Sequence, residues 1–385
     1  MLRRSLFRNL ICARPTLRRR ISSSSSEHVA AAPPWLLIED SVEDGVLYNN
    51  FYSMADKKVI KKEAKYTKSS KDIGMVVGSS HGWLALCNLC NSGGSSSSSF
   101  NNNNMYLYNP VSQSIFDLPS FPMSVPSKVI LSSSPEEDGC RAIMSFGPQN
   151  RLLYCCPGRS NEWTPIDDEA ETSSTYPTMY NDFVYSKGQK LLFSINSSDM
   201  FECWDLADLA NPKQIWKIRC GVSWSTWRYL VFAEQSERLF LVDRYVVENI
   251  RPYGATRDGP HQTFSFYVIE LIVNLTANDE DDEDDKLELI GMATLDGMAF
   301  FVGSTGHGVV IEETVENNVE PNSIYFTDAK ELTPPPWDHD KRYGGHDVGV
   351  FNYEEKNFSP FYYSHDIRNF RRINNPAPTW FSPSH

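Results

Sequence analysis

Five clusters of side chains in this 385-residue sequence have types and spacings that could do chemistry. The first is Gly78-Ser79-Ser80-His81-Gly82, which matches the G-x-S-x-G pattern of a hydrolase nucleophile elbow. An elbow needs a strand before the serine and a helix after it, so that the hydroxyl stands exposed at a strained turn. Here Trp83-Leu84-Ala85-Leu86-Cys87 follows, which reads as a strand. The segment is therefore expected to be a hairpin turn whose glycines supply positive φ. A serine hydrolase built on Ser80 stays as the alternative.

The second cluster, Asp338-His339-Asp340 with His346-Asp347, has metal-ligand types but no three-ligand spacing, and it follows Pro334-Pro335-Pro336. Solvated loop residues are the expectation. Gly303-Ser304-Thr305-Gly306-His307-Gly308 is rich enough in glycine to cradle a phosphate, yet it lies between two strand-like runs. A cradle needs a helix N-terminus, so a hairpin turn is expected. Cys87-x-x-Cys90 could be half of a zinc site or a redox pair, but zinc needs a second pair and redox use needs a helix start. Ordinary strand cysteines are expected. The run Asp279 to Asp285 lacks the alternating ligands and turn glycine of a calcium loop, so it reads as a solvated loop. No catalytic, cofactor-binding or metal residue is assigned.

The elements that must position these residues are β-strands. Short apolar or aromatic runs alternate with clusters of Gly, Asn, Asp, Ser and Pro, and helical periodicity is hard to find. The unit strand, tight turn, strand, polar turn, strand recurs. Its second strands centre near Leu84, Leu153, Leu192, Phe240 and Phe301, with gaps of 69, 39, 48 and 61 residues. Propeller blades run about 40–50 residues, and the Ser/Asn tract and acidic run lengthen the first and last gaps. A propeller also disposes of the strand edges that an open sheet would expose. Trp224, Trp227 and Tyr229, and the tail aromatics Phe361, Tyr362, Tyr363, Trp380 and Phe381, are of the kind that anchor interfaces. At 12% aromatic content most must fill cores, so no site is placed on them.

Residues 1–26 differ from the rest. They hold seven arginines, no acid, and apolar Leu2, Leu6, Phe7, Leu10 and Ile11 that can share a helix face. A basic, acid-free leader ending in serines reads as an organellar transit peptide, with Arg19-Arg20-Ile21-Ser22 resembling a processing step. Arginine density favours mitochondria, and Ser22 to Ser26 leave dual targeting to chloroplasts open. Without the leader, Lys+Arg falls from 36 to 29 against 49 Asp+Glu, a net charge of −20. Such a chain has no broad basic face for nucleic acid. No run approaches the ~18 apolar residues of a membrane helix, so no membrane insertion is expected. Seven scattered cysteines remain after the leader, which does not suit a disulfide framework.

Several words of the sequence then take on meaning together. They are Pro34-Trp35-Leu36-Leu37, Phe51-Tyr52-Ser53, the segment Gly78 to Leu84, Leu107-Tyr108-Asn109-Pro110, Leu118-Pro119 and Asp182-Phe183-Val184-Tyr185. Trp204-Asp205-Leu206, Tyr229-Leu230-Val231, Asn322 to Phe326 and Asp347 to Phe351 complete the order. The ordered series resembles the plant family of F-box-associated β-propellers of the KIB type. That resemblance implies a kelch-like propeller and a role in protein recognition. Many relatives carry an N-terminal F-box that docks a ubiquitin-ligase scaffold; here the leader occupies that place, so an F-box-less organellar branch is expected.

The sequence therefore predicts an all-β protein with a single kelch-like β-propeller of six or seven blades. The expected order is a transit peptide at 1–26, the propeller at 27–375 and a C-terminal tail at 376–385. The expected role is non-enzymatic recognition of a protein partner by a monomer, without cofactor. The alternative is a substrate adaptor of a ubiquitin ligase.

Overall fold

The computed structural model describes residues 32–65, 75–88, 102–122, 128–146, 151–166, 180–208, 212–221, 227–248, 261–274, 286–303, 305–327, 331–332, 343–344, 347–359 and 378–383. The leader, the acidic run and the segment 338–340 lie outside these residues.

Six sheets of four or five strands follow one another along the chain as the blades of a β-propeller. Blade one holds β1 (Trp35–Glu43), β2 (Val46–Ser53) and β3 (Lys58–Glu63). Blade two holds β4 (Met75–Ser80), β5 (Trp83–Asn88), β6 (Asn102–Tyr108) and β7 (Ile115–Pro122). Blade three holds β8 (Lys128–Leu131), β9 (Ala142–Phe146), β10 (Arg151–Cys155) and β11 (Thr164–Pro165). Blade four holds β12 (Tyr180–Ser186), β13 (Leu191–Asn196), β14 (Met200–Asp205) and β15 (Lys213–Arg219). Blade five holds β16 (Trp227–Ala233), β17 (Arg238–Glu248), β18 (His261–Val273) and β19 (Leu287–Gly291). Blade six is built from β20 (Ala299–Val302), β21 (Val309–Ile311) and β22 (Ser323–Phe326). A two-residue pair, β23 (Glu331–Leu332) with β24 (Tyr343–Gly344), precedes its last strands, β25 (Gly349–Asn352) and β26 (Asn357–Ser359). The final strand, β27 (Thr379–Phe381), pairs with β1.

Among the described residues the hydrophobic clusters number one for each gap between blades. Val77, Trp83 and Leu107 of blade two pack on Val129, Leu131 and Met144 of blade three. Five further clusters repeat this around the ring. Successive side chains of a strand point to opposite faces. Hence Leu36 joins the core toward blade six while Leu37 joins the core toward blade two. Phe183 and Val184 part in the same way, toward blades three and five. A strand buried on both faces reads as a continuous apolar run rather than an alternating one. That explains words such as Tyr229-Leu230-Val231-Phe232, all buried.

The tail expected at 376–385 is in part a blade strand. β27 supplies the innermost strand of blade one, so the ring is closed by pairing the two ends of the described domain. Its side chains reach both neighbours: the Trp380 Nε1 donates to the Val302 carbonyl of blade six at 3.1 Å, while Phe381 joins the core shared with Val76 and Leu84 of blade two. A second correction concerns the repeat. Leu153 lies in β10, the third strand of its blade; the second is β9. Short β8 and β9, separated by a loop, carry too few residues to stand out from sequence. In blade six the inner strand β21 follows β20, and β20 and β22 run parallel, so this blade departs from the simple meander.

Candidate functional site

Two of the segments singled out by sequence, Gly78–Gly82 and Thr305–Gly308, meet at the propeller axis. Inner strands β27, β4, β8, β12, β16 and β21 surround it. At the end of β4, His81 (φ +50°) and Gly82 (φ +79°) form a two-residue turn with positive φ at both central positions, the type I′ geometry that matches strand twist. Ser80 is buried, and its Oγ accepts a hydrogen bond from the Leu131 N–H at 2.8 Å. The chain goes straight on into β5. The hydroxyl thus joins blade two to blade three and does not stand at an exposed elbow. Only Gly82 serves the turn. Gly78 answers a different need, because a Cβ there would lie 2.0 Å from the Val129 carbonyl oxygen of β8.

The second glycine segment does more than turn. Gly306 bridges Ser79 of β4, and Gly308 bridges Val231 of β16. Blades two and five stand opposite each other in a ring of six, so Gly306-His307-Gly308 crosses the axis. The His307 N–H donates to the Ser79 carbonyl at 2.9 Å. The Thr305 and Thr379 hydroxyls meet at 2.9 Å, tying the crossing to the closing strand. A Cβ at Gly308 would lie 3.0 Å from Val231 Cγ2 and 3.1 Å from the Leu230 oxygen, so any side chain there would press its neighbours aside by a few tenths of an ångström.

The crossing places His307 beside His81, with ring centroids 6.2 Å apart. Burial drives the His307 pKa down to about 3, with His81 and the Lys128 ammonium adding to the effect. Burial also lowers His81, with Lys187 assisting and Glu137 opposing. Both imidazoles are neutral at pH 7 as a result. The buried His307 Nδ1 has no hydrogen-bond partner among the described residues.

Lys128 and Asp182 form a buried ion pair between β8 and β12. The Asp182 carboxylate also accepts from the Phe183 N–H at 2.9 Å and the Leu230 N–H at 2.8 Å, so it links blades three, four and five. Burial pushes the Asp182 carboxyl up, and these donors hold it back, Lys128 foremost.

Asp347, grouped by sequence with loop ligands, is buried rather than solvated. Its Oδ2 accepts from Arg244 Nη2 at 2.8 Å, from the Thr263 N–H at 2.8 Å and from Thr263 Oγ1 at 2.6 Å. Its sequence companions Asp338, His339, Asp340 and His346 fall outside the described residues, as do Cys90, Trp224, Phe361, Tyr362 and Tyr363. Among the described residues no group of three or more His, Cys, Asp or Glu could hold a metal ion. Cys87, Cys140, Cys155, Cys203 and Cys220 are buried free thiols, and burial pushes Cys203 and Cys220 up to about 12. Such thiols are inert. Tyr229, Trp380 and Phe381 are core residues, and Trp227 lies against the Arg244 guanidinium at 4.9 Å.

Sequence reasoning did not single out Lys128 or Arg244, and it named His307 and Asp182 only as members of a turn and of a strand word. The available signal was a charge inside an apolar strand word, such as Asp182 before Phe183-Val184-Tyr185. A charge in a strand buried on both faces must have a partner.

A family model described as the KIB1-4 β-propeller matches residues 51–352. Among curated proteins no match is found. Two solved structures align at low similarity. One is the β-propeller domain of Cps50 (Swd1) from Myceliophteria thermophila, at 8% identity, TM-score 0.40, covering 86% of this chain and 87% of that one. The other is a protein from Lactobacillus plantarum, at 9% identity, TM-score 0.39, covering 90% and 97%. Likenesses this slight carry no argument about function.

Proposed function

The chain belongs to the KIB1-4 β-propeller family, and from that premise we propose that it is a protein-recognition module, imported into mitochondria, with no catalysis of its own. The observation that carries this reading is the occupied axis. Among the described residues, polar groups gathered there pair across blades: Ser80 Oγ with the Leu131 N–H, Lys128 with Asp182, and the His307 backbone N–H with the Ser79 carbonyl. Ser80, the one candidate nucleophile the sequence offers, is buried with its Oγ engaged between blades two and three, which supports recognition over hydrolysis. The basic leader supports the organellar destination on composition and position.

A fluorophosphonate probe on the full chain should leave Ser80 unlabelled, and Ser80→Ala should leave any esterase signal unchanged. Stoichiometric labelling lost in Ser80→Ala would replace recognition by hydrolysis. Co-purification with a ubiquitin-ligase scaffold would replace it by the adaptor role.

A further inference from the structure

The axis crossing carries a buried nitrogen, His307 Nδ1, with no hydrogen-bond partner among the described residues. A bare polar atom in the interior costs free energy, so the chain leaves room there for a group it does not itself supply. The ring beside it is that of His81, at 6.2 Å between centroids with the planes 36° apart. The two imidazoles come from segments held in fixed relation. His307 sits between the bridges of Gly306 to Ser79 and Gly308 to Val231, and its backbone N–H donates to the Ser79 carbonyl, two residues before His81. His81 is held by its own tight turn, and its ring donates to the Leu131 carbonyl. An imidazole that gives its one N–H to a backbone carbonyl turns its other nitrogen, with the lone pair, away from it; metal-binding histidines are oriented in this way. Both rings are neutral at pH 7, so no proton has to leave before a lone pair can bind.

The surroundings select the ion. Zinc(II) takes at least three protein donors even in its open sites. Among the described residues no third His, Cys, Asp or Glu joins this pair. The nearby charges cancel, Lys128 being paired with Asp182 and Lys187 with Glu137. These pairs supply no net negative charge to offset a dication taken out of water. Copper(I) carries a single charge, accepts imidazole nitrogen and is satisfied by two ligands in line. With metal–nitrogen bonds of about 2 Å the two ring nitrogens stand about 4 Å apart. Rings with centroids 6.2 Å apart span that distance when one nitrogen of each is turned inward.

We propose that His81 and His307 hold a copper(I) ion on the propeller axis, coordinated in line by one nitrogen of each ring, Nδ1 in the case of His307. The ion gives His307 Nδ1 the partner it lacks and ties the axis crossing to the turn of blade two. Rigid backbone on both sides keeps the two nitrogens in place before the ion arrives. The site goes beyond the recognition reading and does not depend on it.

The test titrates the full chain with copper(I) under anaerobic conditions against a bicinchoninate competitor. Accessible thiols are first capped with N-ethylmaleimide, because thiolates also take copper(I). One equivalent should bind, and its X-ray absorption spectrum should show two nitrogen neighbours and no sulfur. Zinc(II) should bind at least tenfold more weakly. His307→Gln and His81→Asn should each reduce copper(I) binding at least tenfold; asparagine is chosen at position 81 because it tolerates the positive φ of the turn. His261→Gln, in β18, should leave binding unchanged. No binding, sulfur in the coordination shell, zinc(II) binding as tight as copper(I), or full binding by either axis variant overturns the proposal. Should an axis variant fail to fold, the spectrum of the unaltered chain decides by itself.

Discussion

Arg244 and Asp347, 103 residues apart in sequence, are joined in the interior by a hydrogen bond of 2.8 Å from Nη2 to Oδ2. Arg244 lies in β17 of blade five, and Asp347 precedes β25 of blade six. The guanidinium also donates to the Thr327 carbonyl at 2.9 Å and lies between the Trp227 and Phe326 rings. Removing one member of a buried pair leaves the other charge uncompensated, at a cost of about 3–5 kcal/mol. Arg244→Ala and Asp347→Ala should each lower the urea midpoint by that order, and the double variant should cost less than the sum of the two. Additive losses would show that the two side chains act independently.

The axis crossing makes stability depend on pH. His307 has a folded pKa of about 3, below its unfolded value near 6.5. Its contribution is complete above pH 6.5 and is lost as the pH falls from there toward 3, because the unfolded chain binds the proton first. At pH 5 the loss is at most about 2 kcal/mol. Denaturant midpoints at pH 7.5 and 5 should differ less in His307→Gln than in the wild type. An unchanged pH dependence would show that the ring is not held neutral by the fold. His81 shifts in the same direction and keeps part of the effect in the variant.

Gly78→Ala brings a methyl group to 2.0 Å from the Val129 backbone oxygen, which cannot move without parting β4 from β8. A loss of more than about 2 kcal/mol is expected, as for other overpacked sites. Gly188→Ala meets nothing nearer than Glu234 Oε2 at 3.8 Å and should stay within about 0.5 kcal/mol of wild type. Thermal unfolding of both variants distinguishes close approach from a general effect of removing glycine.

Ring closure depends on three residues at the far end of the domain. Trp380→Ala removes a buried ring that packs edge-on to Phe301 at 5.0 Å and should cost about 3–5 kcal/mol. A chain ending before Thr379 should lose the inner strand of blade one and unfold over a broad range of denaturant, as followed by tryptophan fluorescence. A sharp, unshifted transition would show that β27 is dispensable.

Import is tested directly. A fluorescent fusion of the whole chain should reach mitochondria, and changing the seven leader arginines to glutamine should leave it in the cytosol. Cytosolic or nuclear residence of the unaltered fusion contradicts the proposed destination.

Much of the fold is local and was legible in sequence. Apolar words such as Leu191-Leu192-Phe193 bounded by turn residues specify strands, and His81-Gly82 specifies a tight turn by backbone geometry alone. The strand after Gly82 sufficed to set aside an elbow at Ser80. Where strands were short, as in β8 and β9, the signal fell below what a few residues can carry, and the repeat was miscounted at Leu153.

By itself, then, the sequence determined an all-β chain of recurrent hairpins, its family and its acidic charge, because strand period, turn chemistry and charge are properties of neighbouring residues. The tertiary structure alone decided that Phe381 returns to pair with Trp35, that Gly306-His307-Gly308 crosses the axis, and that Lys128 finds Asp182 and Arg244 finds Asp347. It also decided that Gly78 serves close approach to Val129 and that Gly308 packs tightly against Val231. These relations join residues distant along the chain. They arise only when six blades close into a ring and burial makes each inward polar group take a partner, a condition that no local stretch of sequence expresses.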